Sequence, residues 1–270
     1  MTVRHGGSAG SPVTVGKAWS RLAPVSGAPR LLCLHHAGGN AGFFGAWGRD
    51  LAGRCEVWTA NLPGRRERFA EPPVTDADTL VAELAAAAAD LLDRPMVIFG
   101  HSMGGLLGFE ITRRLLKQGH PPPAALVISA CKAPQVHASD GPQPRDEADL
   151  IKILRSWGGT PAELMADREF LDLVLPPLRA DLMLCDAYRY QPGPPLPTPL
   201  TAVAAAGDEV APERDVAAWA VHSHRWRGLR QVPGGHFYLS SARHLALDVV
   251  AAAVTDGVRE FDHALDERDG

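Results

Sequence analysis

Ser102 stands in the pentapeptide Gly100-His101-Ser102-Met103-Gly104, between an apolar β-type run at 95–99 and a helical run that begins at 105. A serine on a sharp turn between strand and helix is presented with its hydroxyl at the tip of a nucleophile elbow. Glycine two residues to either side suits such a turn, because flanking backbone comes close enough for a Cβ to clash. The string itself is short, and its weight comes from the strand and helix around it. A serine hydroxyl is a weak nucleophile at neutral pH. It needs a histidine to take its proton and an acid to hold that histidine in the right tautomer. In a strand–elbow–helix architecture these follow in the order Ser, Asp or Glu, then His, each on a loop after a later strand. Asp208 follows the apolar run 201–206 through Gly207, and His236 follows 228–232 through Pro233-Gly234-Gly235.

His236 is singled out from eleven histidines by position. His222 and His224 belong to a helix end, His101 lies inside the elbow, and His35 and His36 precede the serine. Glu209 is the rival acid; Asp208 is preferred because it stands first after the strand and Gly207. Fixed backbone N–H groups would stabilise the oxyanion of a tetrahedral intermediate. One would come from Met103, directly after the nucleophile. The second would come from the loop His35-His36-Ala37-Gly38-Gly39, with Ala37 as the donor. That loop lacks the G-x-G-x-x-G dinucleotide fingerprint, and no carboxylate or cysteine at ligand spacing turns His35-His36 into a metal site. No cofactor and no metal are expected.

Elements that could position these groups alternate along the chain. Apolar strand-like runs lie at 31–35, 56–61, 96–99, 125–130, 201–206 and 228–232, with amphipathic helical stretches at 41–52, 79–92, 105–118, 213–222 and 240–254. Such alternation predicts an α/β fold: a mostly parallel central sheet covered by helices on both faces. It lapses over residues 133–199, where helical pieces at 149–157 and 179–190 lie among prolines and glycines. An insertion just before the strand that delivers Asp208 suggests a helical lid over the site. Residues 1–29, rich in Gly, Ser and Pro, read as a flexible segment, and 30–270 as a single domain.

The 270 residues carry 46% hydrophobic and 21% charged side chains and a net charge of -4, which describes a globular chain rather than a nucleic-acid binder. The four cysteines are far apart and read as reduced. No continuous apolar stretch offers a signal-peptide core or a membrane span, so a cytoplasmic protein without membrane attachment is expected.

Beyond the elbow, the blocks LLCLHHAGGNAGFF, WTANLPGRRERFAEPP, GHSMGG, LRADLMLCDAYRY, GDEVAPERDVAAW and PGGHFYL occur in that order. Over residues 31–254 the chain resembles a type II thioesterase, the free-standing α/β-hydrolase that accompanies polyketide and nonribosomal peptide synthases. The LPGRRERFAEPP and LRAD blocks carry this resemblance more specifically than the elbow does. It implies an α/β-hydrolase fold and a monomer. It also implies acyl transfer from the phosphopantetheine thiol of an acyl or peptidyl carrier protein to Ser102, followed by release with water activated by His236. The implied role is editing of stalled or misprimed synthases. A product-releasing thioesterase or a general carboxylesterase is the alternative; a non-catalytic synthase-binding module would have no need of three groups in catalytic order. One departure is His35, where the family usually has proline.

Two regions admit further readings. Arg65-Arg66-Glu67-Arg68 could meet the acidic surface of a carrier protein or the cofactor phosphate, or be a solvated loop. His36 and the lid residues Met183, Leu184, Tyr188 and Tyr190 could line an acyl chamber, or simply pack.

Overall fold

The computed structural model describes residues 14–23, 25, 27–137, 141–157, 161 and 163–269. Its centre is a sheet of eight strands: β1 (Thr14–Val15), β2 (Trp19–Ala23), β3 (Arg30–Leu34), β4 (Glu56–Ala60), β5 (Met96–His101), β6 (Ala125–Ser129), β7 (Leu200–Ala205) and β8 (Trp226–Val232). Their order is β1-β2-β4-β3-β5-β6-β7-β8. From β4 to β8 every pairing is parallel; β1 and β2 join antiparallel at one edge.

Buried strand residues alternate between two apolar layers. Leu32, Leu34, Ile98 and Ile128 face one side, and Leu31, Cys33, Val97, Phe99 and Val127 face the other. The first layer is closed by α2 (Ala77–Ala89) and α3 (Met103–Lys117). The second is closed by the short α1 (Trp47–Asp50) and the long α7 (Leu239–Asp269). Strands buried along their length read as largely apolar runs, as β3 to β7 do, whereas β8 is mostly half-exposed or exposed and carries Arg227, Arg230 and Gln231.

Three expectations change. Residues 14–23 are not a flexible lead-in, because β2 pairs with β4 and Trp19, fully buried, donates from Nε1 to the Leu84 carbonyl at 3.1 Å. Truncating such a tryptophan costs about 3–5 kcal/mol, so this strand belongs to the folded unit. Residues 1–13, 24 and 26, also within the segment read as flexible, lie outside the described residues. The helix expected at 41–52 is a 3-10 turn, Ala41–Phe44, followed by α1. Gly42, Gly45 and Gly48 weaken a continuous helix there.

The third change lies between β6 and β7, where the chain forms α4 (Glu147–Trp157) and α5 (Arg168–Ala187). The helix expected at 179–190 begins at 168 and runs through Pro176 and Pro177. Asp167 caps it by accepting from the N–H groups of Glu169 and Phe170. Leu171, Leu175 and Leu178 pack against Leu150 of α4, and this burial offsets what the prolines remove. Residues 138–140, 158–160 and 162 of the insertion lie outside the described residues. After β7 come α6 (Glu213–Ala217), extended by a 3-10 turn to His222, then β8 and α7. Among the described residues no helix is long and apolar enough to cross a membrane.

The chain runs from β3 outward to β4 and then returns to β5 on the other side of β3. Such a switch point opens a crevice at the carboxyl ends of the parallel strands. The turn after β5 and the loop after β3 both reach it.

Candidate active site

At the end of β5 the chain turns through Ser102, whose φ of 55° and ψ of -122° lie far from any relaxed conformation of a residue with a side chain. Strain of this kind costs about 1–3 kcal/mol and persists only where surrounding contacts impose it. Here they are tight. Ser102 donates its N–H to the Ser129 carbonyl at 2.8 Å, and its own carbonyl accepts from Gly105 at 2.8 Å. A Cβ on Gly100 would lie 2.1 Å from the Gly104 carbonyl oxygen, and one on Gly104 would lie 2.2 Å from that of Leu34. The two glycines thus let β5 fold back on α3 and let α3 press on the end of β3. The N–H of Met103, first in α3, has no partner inside its helix and sits at the positive end of the helix dipole, beside the nucleophile.

The structure brings all three expected side chains together. His236 Nε2 is 2.9 Å from Ser102 Oγ, and His236 Nδ1 is 2.8 Å from Asp208 Oδ2. Asp208 Oδ1 accepts from the N–H groups of Val210 and Ala211 at 2.8 and 2.9 Å. With one oxygen on the imidazole and the other on two backbone donors, the carboxylate cannot rotate away. Asp208 and His236 are both buried, whereas Glu209 is exposed. The carboxylate fixes the proton on Nδ1, leaving the Nε2 lone pair for the serine proton.

His101, inside the elbow, has a separate task. Its Nδ1 is 2.9 Å from Ser129 Oγ, which in turn is 2.8 Å from the Tyr238 hydroxyl. Burial, with neighbouring His236 adding to it, holds the His101 imidazole well below its usual range, so the ring is neutral. This chain of groups ties the elbow to the loop that carries His236.

The loop after β3 is held from an unexpected direction. Asp181 of α5 accepts from the Gly38 N–H at 2.7 Å and from Arg65 through both oxygens, at 2.7 and 2.9 Å. Arg65 also donates to the Gly39 carbonyl at 3.0 Å. Arg65 and Asp181 are 8% and 1% exposed, so the reading of Arg65 as a surface contact for a carrier protein is corrected: it is half of a buried ion pair. Arg68 is buried as well, paired with Glu71 and Glu83. Of that run only Arg66 keeps a largely exposed guanidinium. Asp181 was missed as a functional group, although it lies in the LRAD block and its partner in the LPGR block.

The three candidate substrate-binding residues fare differently. His36 lies beside the triad, its ring 4.7 Å from those of both Phe43 and Phe237 and 6.0 Å from that of His101. Tyr188 is engaged elsewhere. Its hydroxyl donates to Glu110 at 2.6 Å, and it lines a groove with Val81, Arg113 and Pro195 that includes no member of the triad. Met183 is half-buried on α5, and no ring or polar contact ties it to Ser102 or His236. The aromatic neighbour of His236 is instead Phe237, which packs at 5.5 Å on Trp157 of α4, while Phe43 stands against His36 and His101. Phe237 follows His236 directly, and that adjacency was its only signal in the sequence. No group of three or more His, Cys, Asp or Glu residues that could hold a metal occurs among the described residues.

Comparison with known proteins shows the family. The model of the thioesterase domain matches residues 29–254. Linear gramicidin dehydrogenase LgrE of Brevibacillus parabrevis is 35% identical over 233 residues, covering 83% of this chain and 87% of the relative. The type II thioesterase BorB from the borrelidin biosynthetic cluster superposes with a TM-score of 0.82 at 34% identity, over 90% of this chain and 99% of its own. YbtT, a type II thioesterase from the yersiniabactin NRPS/PKS pathway, gives a TM-score of 0.80 at 29% identity, over 89% and 99%.

Proposed function

The chain belongs to the thioesterase domain family, and from that premise we propose that it releases acyl groups from the phosphopantetheine thiol of acyl or peptidyl carrier proteins through an acyl-Ser102 intermediate. The observation that carries this reading is the unbroken relay Ser102 Oγ, His236, Asp208 at 2.9 and 2.8 Å. As Ser102 Oγ attacks the thioester carbonyl, its proton passes to His236 Nε2 and the carbonyl electron pair moves onto oxygen. The N–H groups of Met103 and Ala37 stabilise that oxyanion. Collapse expels the thiol, which takes the proton from His236. Water then enters, gives a proton to His236 and attacks the acyl-serine, and the carboxylic acid departs as Ser102 recovers its proton. A thiol with a pKa of about 8.5 leaves far more readily than an amine, so one histidine serves both half-reactions.

The carrier protein as substrate is supported by relatives that serve biosynthetic clusters, BorB and YbtT among them. An editing role follows from the same likeness, with product release the second reading. The aromatic rings near the triad, Phe237 with Trp157 and Phe43 beyond His36, suit an apolar acyl chain. The expected result is a kcat/KM for acyl-carrier protein at least tenfold above that for a p-nitrophenyl ester of the same acid. Equal values for the two would return the protein to general carboxylesterase chemistry. Parallel kinetics on short acyl units and on the synthase's finished chain separate editing from release.

A further inference from the structure

We propose that His35 is a positioning residue for oxyanion stabilisation: by hydrogen-bonding the His36 carbonyl it fixes the direction of the Ala37 N–H. The proposal rests on the acyl-serine reading given above. His35 is buried at the end of β3, with Nδ1 2.8 Å from the His36 carbonyl oxygen. A carbonyl only accepts, so Nδ1 is the protonated nitrogen. The opposite placement would set the Nδ1 lone pair against those of the oxygen. Burial, with the charge of Arg65 adding to it, pushes the imidazole down to about 3, so this neutral form persists throughout the working range of a hydrolase.

The consequence follows from peptide planarity. All peptide bonds among the described residues are trans, and in a trans unit the C=O of one residue and the N–H of the next lie in one plane and point in opposite directions. Holding the His36 carbonyl therefore aims the Ala37 N–H. The same oxygen accepts the N–H of Gly39 at 3.0 Å, so rotation of this unit would break two bonds at once. The next units are tied from outside, Gly38 N–H by Asp181 and Gly39 C=O by Arg65. Among the described residues the Ala37 N–H donates to no protein group. One N–H left over in an otherwise tethered loop is the preorganisation an oxyanion donor requires.

Gly39 supports the same assignment. A Cβ there would lie 3.0 Å from both His35 Nδ1 and the His36 oxygen, in the space that the hydrogen bond occupies. The loop is thus built around the imidazole rather than merely tolerating it.

Three variants test the proposal on an acyl thioester of N-acetylcysteamine: His35→Phe, which keeps a planar ring without a donor; His35→Asn, whose amide N–H can replace Nδ1–H; and Ser102→Ala. Each is read as kcat, KM and affinity for an alkyl trifluoromethyl ketone, which adds to a serine and places an anionic oxygen where the oxyanion forms. The expected result is a kcat loss of about 10²–10³ for His35→Phe with KM little changed. Its ketone affinity should fall in proportion, and His35→Asn should recover most of both. A folded His35→Phe with wild-type kcat and ketone affinity overturns the proposal, as does a His35→Asn no better than His35→Phe. Should His35→Phe not fold, Gly39→Ala is read in its place under the same criteria. Full activity in Ser102→Ala would overturn the acyl-serine reading itself, and this proposal with it. An inactive Ser102→Ala beside a wild-type-like His35→Phe overturns only the role of His35.

Discussion

Ser102→Ala loses turnover of acyl thioesters by a factor on the order of 10⁴–10⁶ while the protein stays folded. The expected size follows from how the triad acts as a unit. Without Oγ, His236 has no proton to take and Asp208 no imidazolium to stabilise, so the remaining rate comes from substrate positioning and backbone donors alone. Stability is expected to hold, because alanine removes only the hydroxyl, whose partner in the structure is His236 Nε2. The elbow strain at φ 55° is borne equally by either residue. Steady-state release of free acid, with a thermal melt on the same preparation, checks both halves. A variant that melts normally and keeps a tenth of wild-type activity would remove the serine from the mechanism.

Asp181→Ala has the largest expected effect on stability, a loss of about 3–5 kcal/mol. The buried guanidinium of Arg65 would lose its bidentate partner, and the Gly38 N–H would lose its acceptor. Leaving one member of a buried pair uncompensated is far costlier than removing both. Arg65→Met combined with Asp181→Leu should therefore be more stable than Asp181→Ala alone, though still with Gly38 N–H and Gly39 C=O unpaired. Urea unfolding reads this directly as a lowered midpoint at unchanged slope. A midpoint within experimental error of wild type for Asp181→Ala would mean that the ion pair does not join α5 to the loop after β3.

The parts of this molecule legible in the sequence are those whose signal is local. Strands β3 to β7 are short, largely apolar runs; Ser102 follows β5 directly, and Asp208 and His236 come within four residues of the ends of β7 and β8, so chain order alone assembled the site. What escaped notice depends on partners distant in sequence. Arg65 and Asp181 stand 116 residues apart, and neither has a neighbour that betrays the other, so Arg65 read as a surface charge. Trp19–Ala23 is five residues long and flanked by glycine-rich and proline-rich sequence; only its pairing with β4 and the buried indole of Trp19 make it a strand. Helix α5 begins at Arg168 rather than at 179 because leucines packed on α4 carry it through Pro176-Pro177, a local signal against helix. Tyr188 looked like a chamber residue for its type and place, but the carboxylate of Glu110 claims its hydroxyl.

The insertion between β6 and β7 bears directly on the loop after β3. Leu178 and Asp181, three residues apart on one face of α5, both bear on Gly38: a Cβ there would lie 2.9 Å from Leu178 Cδ1, and its N–H is held by the carboxylate. Gly38 itself has a φ of 72°, where a side chain would add strain. This helix therefore forms one unit with the loop after β3. Trp157, at the end of α4, reaches Phe237 beside His236 from the same insertion.

The acyl-Ser102 intermediate is caught by mixing the protein with an acyl thioester, quenching in acid within the first turnovers, and weighing the protein and its peptides by mass spectrometry. Acyl transfer to Ser102 leaves an added acyl mass on the peptide containing that residue, decaying as free acid appears, and no such mass in Ser102→Ala. Steady turnover with no acylated peptide at any quench time, together with undiminished activity in Ser102→Ala, would contradict it.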